Sequence, residues 1–227
     1  MGKISGYIIS ILTLLPLLCN AQDSTRYPIN AMKGIRVGVD FSKFLFPVIY
    51  KNERIAFEAT ADVHIKGNFF ATAEAGWLNV NLDRTADTLY KYRYKENGLY
   101  GKIGIDYNLL KSRRPKSNDI LYGGARYGYS VLSQHGEQIT VPGYYWPDQT
   151  DAIIPTKTFN AHWIEFLLGI KAEVLTNLYV GMTFRLDFLI VKPKDKYSTP
   201  YLIPGYGNGN QGYSLGLNYY ISYNIHF

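Results

Sequence analysis

Apolar and polar side chains alternate along most of this chain with a period of two residues, which predicts β-strands with one apolar face. The clearest case is Tyr213–Phe227, where apolar or aromatic residues fill the odd positions and mostly small or polar residues fill the even ones. The same pattern predicts seven earlier strands, at Gly34–Ser42, Arg54–His64, Phe69–Trp77, Leu99–Leu110, Ile120–Ser130, His162–Val174 and Leu178–Leu189.

The connections between these strands alternate in length. Tight turns are predicted at Lys66–Asn68 and Thr176–Asn177, and long connections at about Asn79–Asn97, Val131–Thr158 and Ile190–Gly212. Short turns at one end and long loops at the other are typical of outer-membrane barrels. We therefore predict an all-β fold, an eight-stranded antiparallel up-and-down transmembrane β-barrel.

The start of the chain has the pattern of an export signal. Lys3 precedes an apolar segment, and Ala21 offers a small residue for cleavage, so residues 1–21 are predicted to be a signal peptide and residues 22–227 a single barrel domain. The alternative is acylation of Cys19, which is the only cysteine of the chain.

The other end of the chain points to the same location. A final apolar alternating strand that closes on Phe227 resembles the assembly signal of bacterial outer-membrane barrels. Together the two ends predict export by a cleaved signal peptide and insertion into the bacterial outer membrane.

The composition narrows the choice of partners. The net charge of +6 would suit nucleic acid or an anionic lipid surface, but an exported chain meets lipid, so no nucleic-acid partner is expected. The 21 Tyr residues would suit the aromatic belts of a membrane barrel. We expect contacts with outer-membrane lipid and lipopolysaccharide, and with other outer-membrane or periplasmic proteins.

Many charged residues share the polar face of the predicted strands. In a water-soluble ligand-binding barrel that face would point to solvent, but the strand lengths, Phe227 and the aromatic apolar face favour a membrane barrel with the charges inside. An eight-stranded barrel has an interior just wide enough for side chains to fill, so opposite charges would pair there. The predicted lumen charge network comprises Arg36, Asp40, Glu58, Asp62, Glu74, Lys102, Asp106, Arg126, Glu165, Lys171, Glu173, Arg185 and Asp187.

Two of the long connections are rich in aromatic residues and proline. Aromatic rings in external loops suit stacking on a sugar or docking on another protein. The alternative is that these loops fold over the barrel mouth and bury their own rings. The predicted external binding platform comprises Tyr144, Tyr145, Trp146, Tyr201 and Tyr206.

Candidate chemistry is sparse. His135 has Ser133 and Glu137 nearby in sequence, but three polar residues of one predicted loop do not define a nucleophile and its base. No metal-ligand spacing is present. We therefore predict a protein that is not an enzyme and has no catalytic residues, cofactor or metal.

Three segments carry a family resemblance: Gly101–Asn108, Tyr122–Tyr129 and His162–Phe166. They resemble an uncharacterised outer-membrane β-barrel family, a domain of unknown function from Gram-negative bacteria of the Bacteroidota kind. The resemblance implies fold and location but no activity. The sequence favours a structural or interaction protein, an accessory subunit of a larger outer-membrane assembly. A lipid- or lipopolysaccharide-modifying barrel enzyme and a small-solute channel are the alternatives.

Overall fold

The structure is a computed structural model that describes residues 34–84, 92–110, 119–141, 149–193 and 199–226, with only the backbone described for 137–141 and 149–154. The predicted signal peptide and Phe227 lie outside the described residues. The strands are β1 (Ile35–Asp40), β2 (Arg54–Lys66), β3 (Phe69–Asp83), β4 (Arg93–Asn108), β5 (Ile120–Val141), β6 (Gln149–Leu175), β7 (Leu178–Val191), β8 (Leu202–Ile203), β9 (Gly207–Asn208) and β10 (Tyr213–Ile225).

Eight of these strands form one closed antiparallel barrel in the order β1-β10-β7-β6-β5-β4-β3-β2. Closure depends on β1, in which Val37 is paired with Ala61 of β2 on one side and with Tyr223 of β10 on the other. Each remaining strand pairs with its neighbours along the chain, except for the short β8–β9 hairpin, which forms a separate sheet. The predicted eight-stranded up-and-down barrel is confirmed.

The first strand is shorter than predicted. β1 ends at Asp40 instead of Ser42, because Asp40 caps the start of a 3-10 helix, Phe41–Leu45, and its Oδ1 accepts a hydrogen bond from Ser42 N at 2.9 Å. One turn of α-helix, α1 (Phe46–Ile49), follows with Pro47 in its first turn. Among the described residues, no helix is long and apolar enough to cross a membrane.

Two of the predicted long connections are largely strand. The stretch Asn79–Asn97 was predicted to be a polar loop, but β3 continues to Asp83 and pairs there with Arg93 at the start of β4. Likewise, β5 and β6 extend into the predicted loop Val131–Thr158 and leave only residues 142–148 between them. These strands therefore project beyond the rest of the barrel at the end opposite the tight turns, which we call the mouth.

The projecting part of the barrel has the opposite polarity to the part below it. On β3, Phe69 and Trp77 face outward while Glu74 is buried inside, but above Trp77 the outward residues are polar and the inward ones are Leu78, Val80 and Leu82. The period of two continues unbroken while the apolar residues change faces. The outer face of β3 is thus apolar below this level, and its inner face is apolar above it.

Candidate functional site

The charged residues predicted for the lumen lie on the inner face of the barrel. All are less than 7% exposed except Glu173, which is half-buried near the β6–β7 turn and accepts a hydrogen bond from Asn177 N at 2.8 Å. Asp40 contacts residues of the 3-10 helix that it caps, and Lys43 Nζ lies 3.5 Å from its carboxylate. The others form two layers, one near the tight turns and one in the middle of the barrel.

The layer nearest the tight turns is centred on Asp62. Its carboxylate accepts bonds from Arg36 at 2.5 and 3.1 Å, and from Lys171 at 2.6 Å. β2, which carries Asp62, and β6, which carries Lys171, are diametrically opposite in the eight-stranded ring. The guanidinium of Arg36 also lies over the ring of Tyr179 at 5.0 Å. This layer therefore joins opposite walls across the full width of the lumen.

The middle layer is a denser network centred on Arg185. Its guanidinium lies 3.0 Å from both Glu58 and Glu74, and 3.5 Å from Glu165. Because β7 and β3 are opposite strands, the contact with Glu74 also crosses the barrel axis.

Further cations complete the middle layer. Lys102 Nζ lies 2.7 Å from Glu165, and Arg126 pairs with Glu74 and, at 3.0 Å, with Asp106. Asp187 is buried opposite Glu165 on the neighbouring strand. Charges buried in this way need partners, since an isolated buried ion is costly. The network provides such partners for the carboxylates of Glu58, Glu74, Asp106 and Glu165, whereas Asp187 Oδ1 has no hydrogen-bond partner among the described residues.

A third, apolar layer lies above the charges, at the mouth. Tyr100, Leu132, Phe159, Ala161 and Trp163 from the barrel wall form a buried cluster with Ile203 and Tyr206 from the β8–β9 hairpin. The ring centroids of Trp163 and Tyr206 are 6.0 Å apart, and Trp163 is fully buried. The hairpin therefore folds inward and covers the charged layers.

The tip of the hairpin needs glycine for two reasons. Gly205 has φ +78°, a conformation that other residues adopt only with strain. A Cβ at this position would also lie 2.4 Å from the ring of Tyr100. The absence of a side chain lets the hairpin backbone rest directly on the aromatic ring below it.

The aromatic residues predicted to form an external platform are not equivalent. Tyr206 is 3% exposed and packs in the apolar layer at the mouth, so the prediction that it faces outward is wrong; the alternative of a loop folded over the mouth holds for this residue. Tyr201 is 40% exposed, and its hydroxyl accepts a 3.0 Å hydrogen bond from Arg54. Tyr144, Tyr145 and Trp146 lie outside the described residues.

Glu96 is a buried carboxyl that the sequence analysis missed, because its segment was predicted to be a loop. It is 1% exposed on the inner face of β4. Its Oε2 accepts bonds from the Tyr94 hydroxyl at 2.5 Å and from Leu202 N at 3.3 Å, while its Oε1 has no hydrogen-bond partner among the described residues. Glu96 thus connects the barrel wall to the first residue of the hairpin.

Burial raises the pKa of Glu96 to about 7, from an ordinary value of 4.5, against the opposing effects of the Tyr94 hydroxyl, the backbone N–H of Leu202 and the charge of Arg54. The folded protein therefore keeps this proton at a pH where the unfolded chain loses it. The contribution to stability is fully present below about pH 4.5 and falls as the pH rises to about 7.

We predict that raising the pH from 5 to 8 loosens the hairpin. Hydrogen exchange of Leu202 N–H, corrected for the intrinsic effect of pH, should show less protection at pH 8 than at pH 5. A Glu96→Gln variant keeps an acceptor oxygen but cannot ionise, so its corrected protection should not change with pH. An equal pH dependence in this variant would contradict the assignment to Glu96.

The histidines are dispersed. His64 Nε2 lies 2.7 Å from Gly67 O in the β2–β3 turn, whereas His162 contacts Tyr127 on the outer surface of the barrel. His135, a candidate in the sequence, lies 3.1 Å from Thr156 Oγ1. Within the described part of the chain, no group of three or more His, Cys, Asp or Glu residues is arranged to hold a metal ion.

Comparisons with known proteins identify the family of this chain. Among solved structures, it is similar to the crystal structure of Ail, the attachment invasion locus protein of Yersinia pestis, with 7% sequence identity and a TM-score of 0.40, over 85% of this chain and 99% of Ail. No curated protein matches the sequence. A family model described as a domain of unknown function, DUF6048, matches residues 4–227, so the chain belongs to the DUF6048 family.

Proposed function

We propose that this protein is a structural or interaction protein of the bacterial outer membrane, an accessory subunit of a larger assembly. Its own barrel conducts neither ions nor small solutes. The observation that carries this proposal is the filled lumen, in which ion pairs join opposite walls and a hairpin covers the mouth. A barrel closed in this way has only its outer surface and its rim for contacts with other molecules.

The outer surface supports a membrane location. Phe69–Trp77 spans the apolar part of β3, and its nine residues match the roughly nine to eleven residues of a tilted membrane strand. Aromatic rings lie at both boundaries of this apolar surface. The ring centroids of Phe69 and Tyr107 are 4.9 Å apart near the tight turns, and Trp77 lies at the upper boundary. We call this apolar outer surface the belt. Its other exposed apolar residues are Val37, Ile103, Ile105, Tyr127, Phe166, Leu168, Ile170, Val180, Phe184, Phe188, Leu217, Ile221 and Tyr223.

More specifically, we propose that the chain lies in the outer membrane of a Gram-negative bacterium of the Bacteroidota kind. It would be exported there by a signal peptide cleaved after Ala21. The apolar segment after Lys3 and the three segments of family resemblance support it. Export would place the mouth outside the cell and the tight turns in the periplasm.

A test of the filled lumen is ion conductance. The purified full chain, refolded into planar lipid bilayers, should show no steady current, because Arg185 and Lys171 each bind a carboxylate of a strand across the axis. A steady current from the wild-type protein would mean that the lumen is open, and would favour the alternative of a small-solute channel.

The interaction role is tested in native membranes. A tagged full chain, cross-linked before extraction, should co-purify with a protein of the outer membrane or periplasm in a fixed ratio. Tyr201→Ala removes an exposed ring at the rim and should weaken that association, whereas Val180→Ala, in the belt, should not. A wild-type chain that purifies alone would overturn the proposal of an accessory subunit.

A further inference from the structure

A polar cavity of about 340 Å³ opens on the outside of the barrel, near the rim. Its walls include the side chains of Asn79, Asn97 and Lys95, all exposed, and Ile55 contributes an apolar surface with 45% of its area exposed. This volume lies at the lower end of the range for small-ligand pockets. The cavity does not belong to the filled lumen, because these side chains point away from the barrel axis.

The position of the cavity relative to the apolar belt limits what can occupy it. Asn79 follows Trp77 by two residues, and Asn97 precedes Leu99 by two, so each lies about 7 Å along its strand, toward the mouth, from the last outward apolar residue. Trp77 and Leu99 are themselves paired, as are Asn79 and Asn97. The cavity is thus at the level of lipid headgroups if the belt lies in the hydrocarbon core.

The chemistry of the lining suits a sugar that carries an anionic group. Side-chain amides both donate and accept hydrogen bonds, which matches the hydroxyl groups of a sugar. Lys95 adds an exposed ammonium group as a point charge for phosphate. Two carboxyl residues line the wall. Glu53 is paired with Arg84 at 2.5 Å, so its charge is compensated. Glu96 is 1% exposed and directs its carboxyl inward, to the Tyr94 hydroxyl and Leu202 N.

We infer that this cavity binds the phosphorylated sugar headgroup of an outer-leaflet glycolipid, with Asn79 and Asn97 hydrogen-bonding the sugar and Lys95 binding the phosphate. The inference rests on the proposed outer-membrane location. The lipid tails would then lie along the belt below, beside Trp77 and Leu99, which connects the polar cavity and the apolar surface in one site.

The experiment compares lipids on the full chain in mixed micelles by native mass spectrometry. The wild-type protein should retain lipopolysaccharide in preference to phosphatidylglycerol, which carries a phosphate but no sugar. Asn79→Val with Asn97→Val should lower lipopolysaccharide binding by roughly tenfold or more, through the loss of two or more hydrogen bonds. Lys95→Gln should weaken binding and reduce its dependence on salt.

Thr158→Val is the matched control. Thr158 is exposed and lies in the same lateral row as the two asparagines, since Asn79 pairs with Asn97, Asn97 with Ser133, and Ser133 with Thr158. This variant should bind lipopolysaccharide like the wild type. An equal loss in Thr158→Val, or no loss in the asparagine variant, would overturn the site.

Further outcomes distinguish a free sugar phosphate from a glycolipid, and a failure of this site from a failure of the proposed location. Soluble glucosamine 1-phosphate that binds as tightly as lipopolysaccharide would identify a free sugar phosphate and overturn the glycolipid assignment. A wild-type chain that inserts into lipid vesicles but shows no preference for lipopolysaccharide would overturn this inference alone. A chain that fails to insert into vesicles would overturn the proposed location as well.

Discussion

Replacing Arg185 with methionine is expected to lower the free energy of unfolding by about 3–5 kcal/mol. Arg185 is 3% exposed and contacts Glu58 and Glu74 at 3.0 Å, with Glu165 at 3.5 Å. Methionine fills much of the same volume but leaves these carboxylates short of a cation. The loss therefore measures uncompensated buried charge, and equilibrium unfolding by guanidinium in lipid vesicles would record it.

Arg84→Met is the control for a pair of the same chemistry outside the lumen. Arg84 binds Glu53 at 2.5 Å, but the two side chains are 40% and 24% exposed, so water replaces the lost interaction. Its removal should cost no more than about 1 kcal/mol. Equal losses in the two variants would show that the middle layer is hydrated and that the lumen is not a closed network.

The sequence predicted the strands because burial of one face imposes a period of two, and this period recurs along the barrel strands wherever their side chains are described. It did not predict where β3 ends and β4 begins, since Asn79, Asn81, Lys95 and Asn97 were interpreted as a loop. These residues are the outer face of strands whose apolar residues have moved inside. The alternation of Leu78, Val80 and Leu82 with polar residues was the available signal.

The sequence also predicted which charges face inward, but not which of them meet. Arg185 and Glu74 are 111 positions apart, and their contact depends on which strands are opposite and how far each is shifted in register. Neither quantity can be obtained from alternation. Alternation likewise did not predict that Glu173 is only half-buried, because the exposure of this side chain depends on how close it lies to the β6–β7 turn.

The inward fold of the hairpin could not be predicted from composition, because aromatic residues suit both an exposed platform and a buried plug. Packing decides between them. Tyr206 is buried since Trp163 and Tyr100 offer an apolar surface at the mouth, while Tyr201, only five residues earlier, remains exposed beside Arg54. The charged layers below therefore lie beneath an apolar cover, which excludes water from above.

Truncating Trp163 to alanine tests this cover and should destabilise the protein by about 3–5 kcal/mol, the usual range for removing a fully buried tryptophan. Trp163 has no exposed area, and it packs against Tyr206 and directly over Gly128, where a Cβ would lie 2.1 Å from its ring. The wall on that side cannot move in to fill the cavity, because the strand backbone is fixed by its pairing with β6 at Gly128.

The same variant should also loosen the hairpin, since Ile203 and Tyr206 lose the ring on which they pack. Hydrogen exchange of Tyr206 N–H, which donates to Ile203 O at 3.0 Å, should accelerate more than exchange in the central strands.

Trp77→Ala is the matched control, because Trp77 is 39% exposed on the outer belt and does not contact the hairpin cluster. It should cost less stability and leave Tyr206 exchange unchanged. If Trp163→Ala left the hairpin as protected as in the wild type, the hairpin would be held by Glu96 and its backbone bonds, and the apolar layer would not be what closes the mouth.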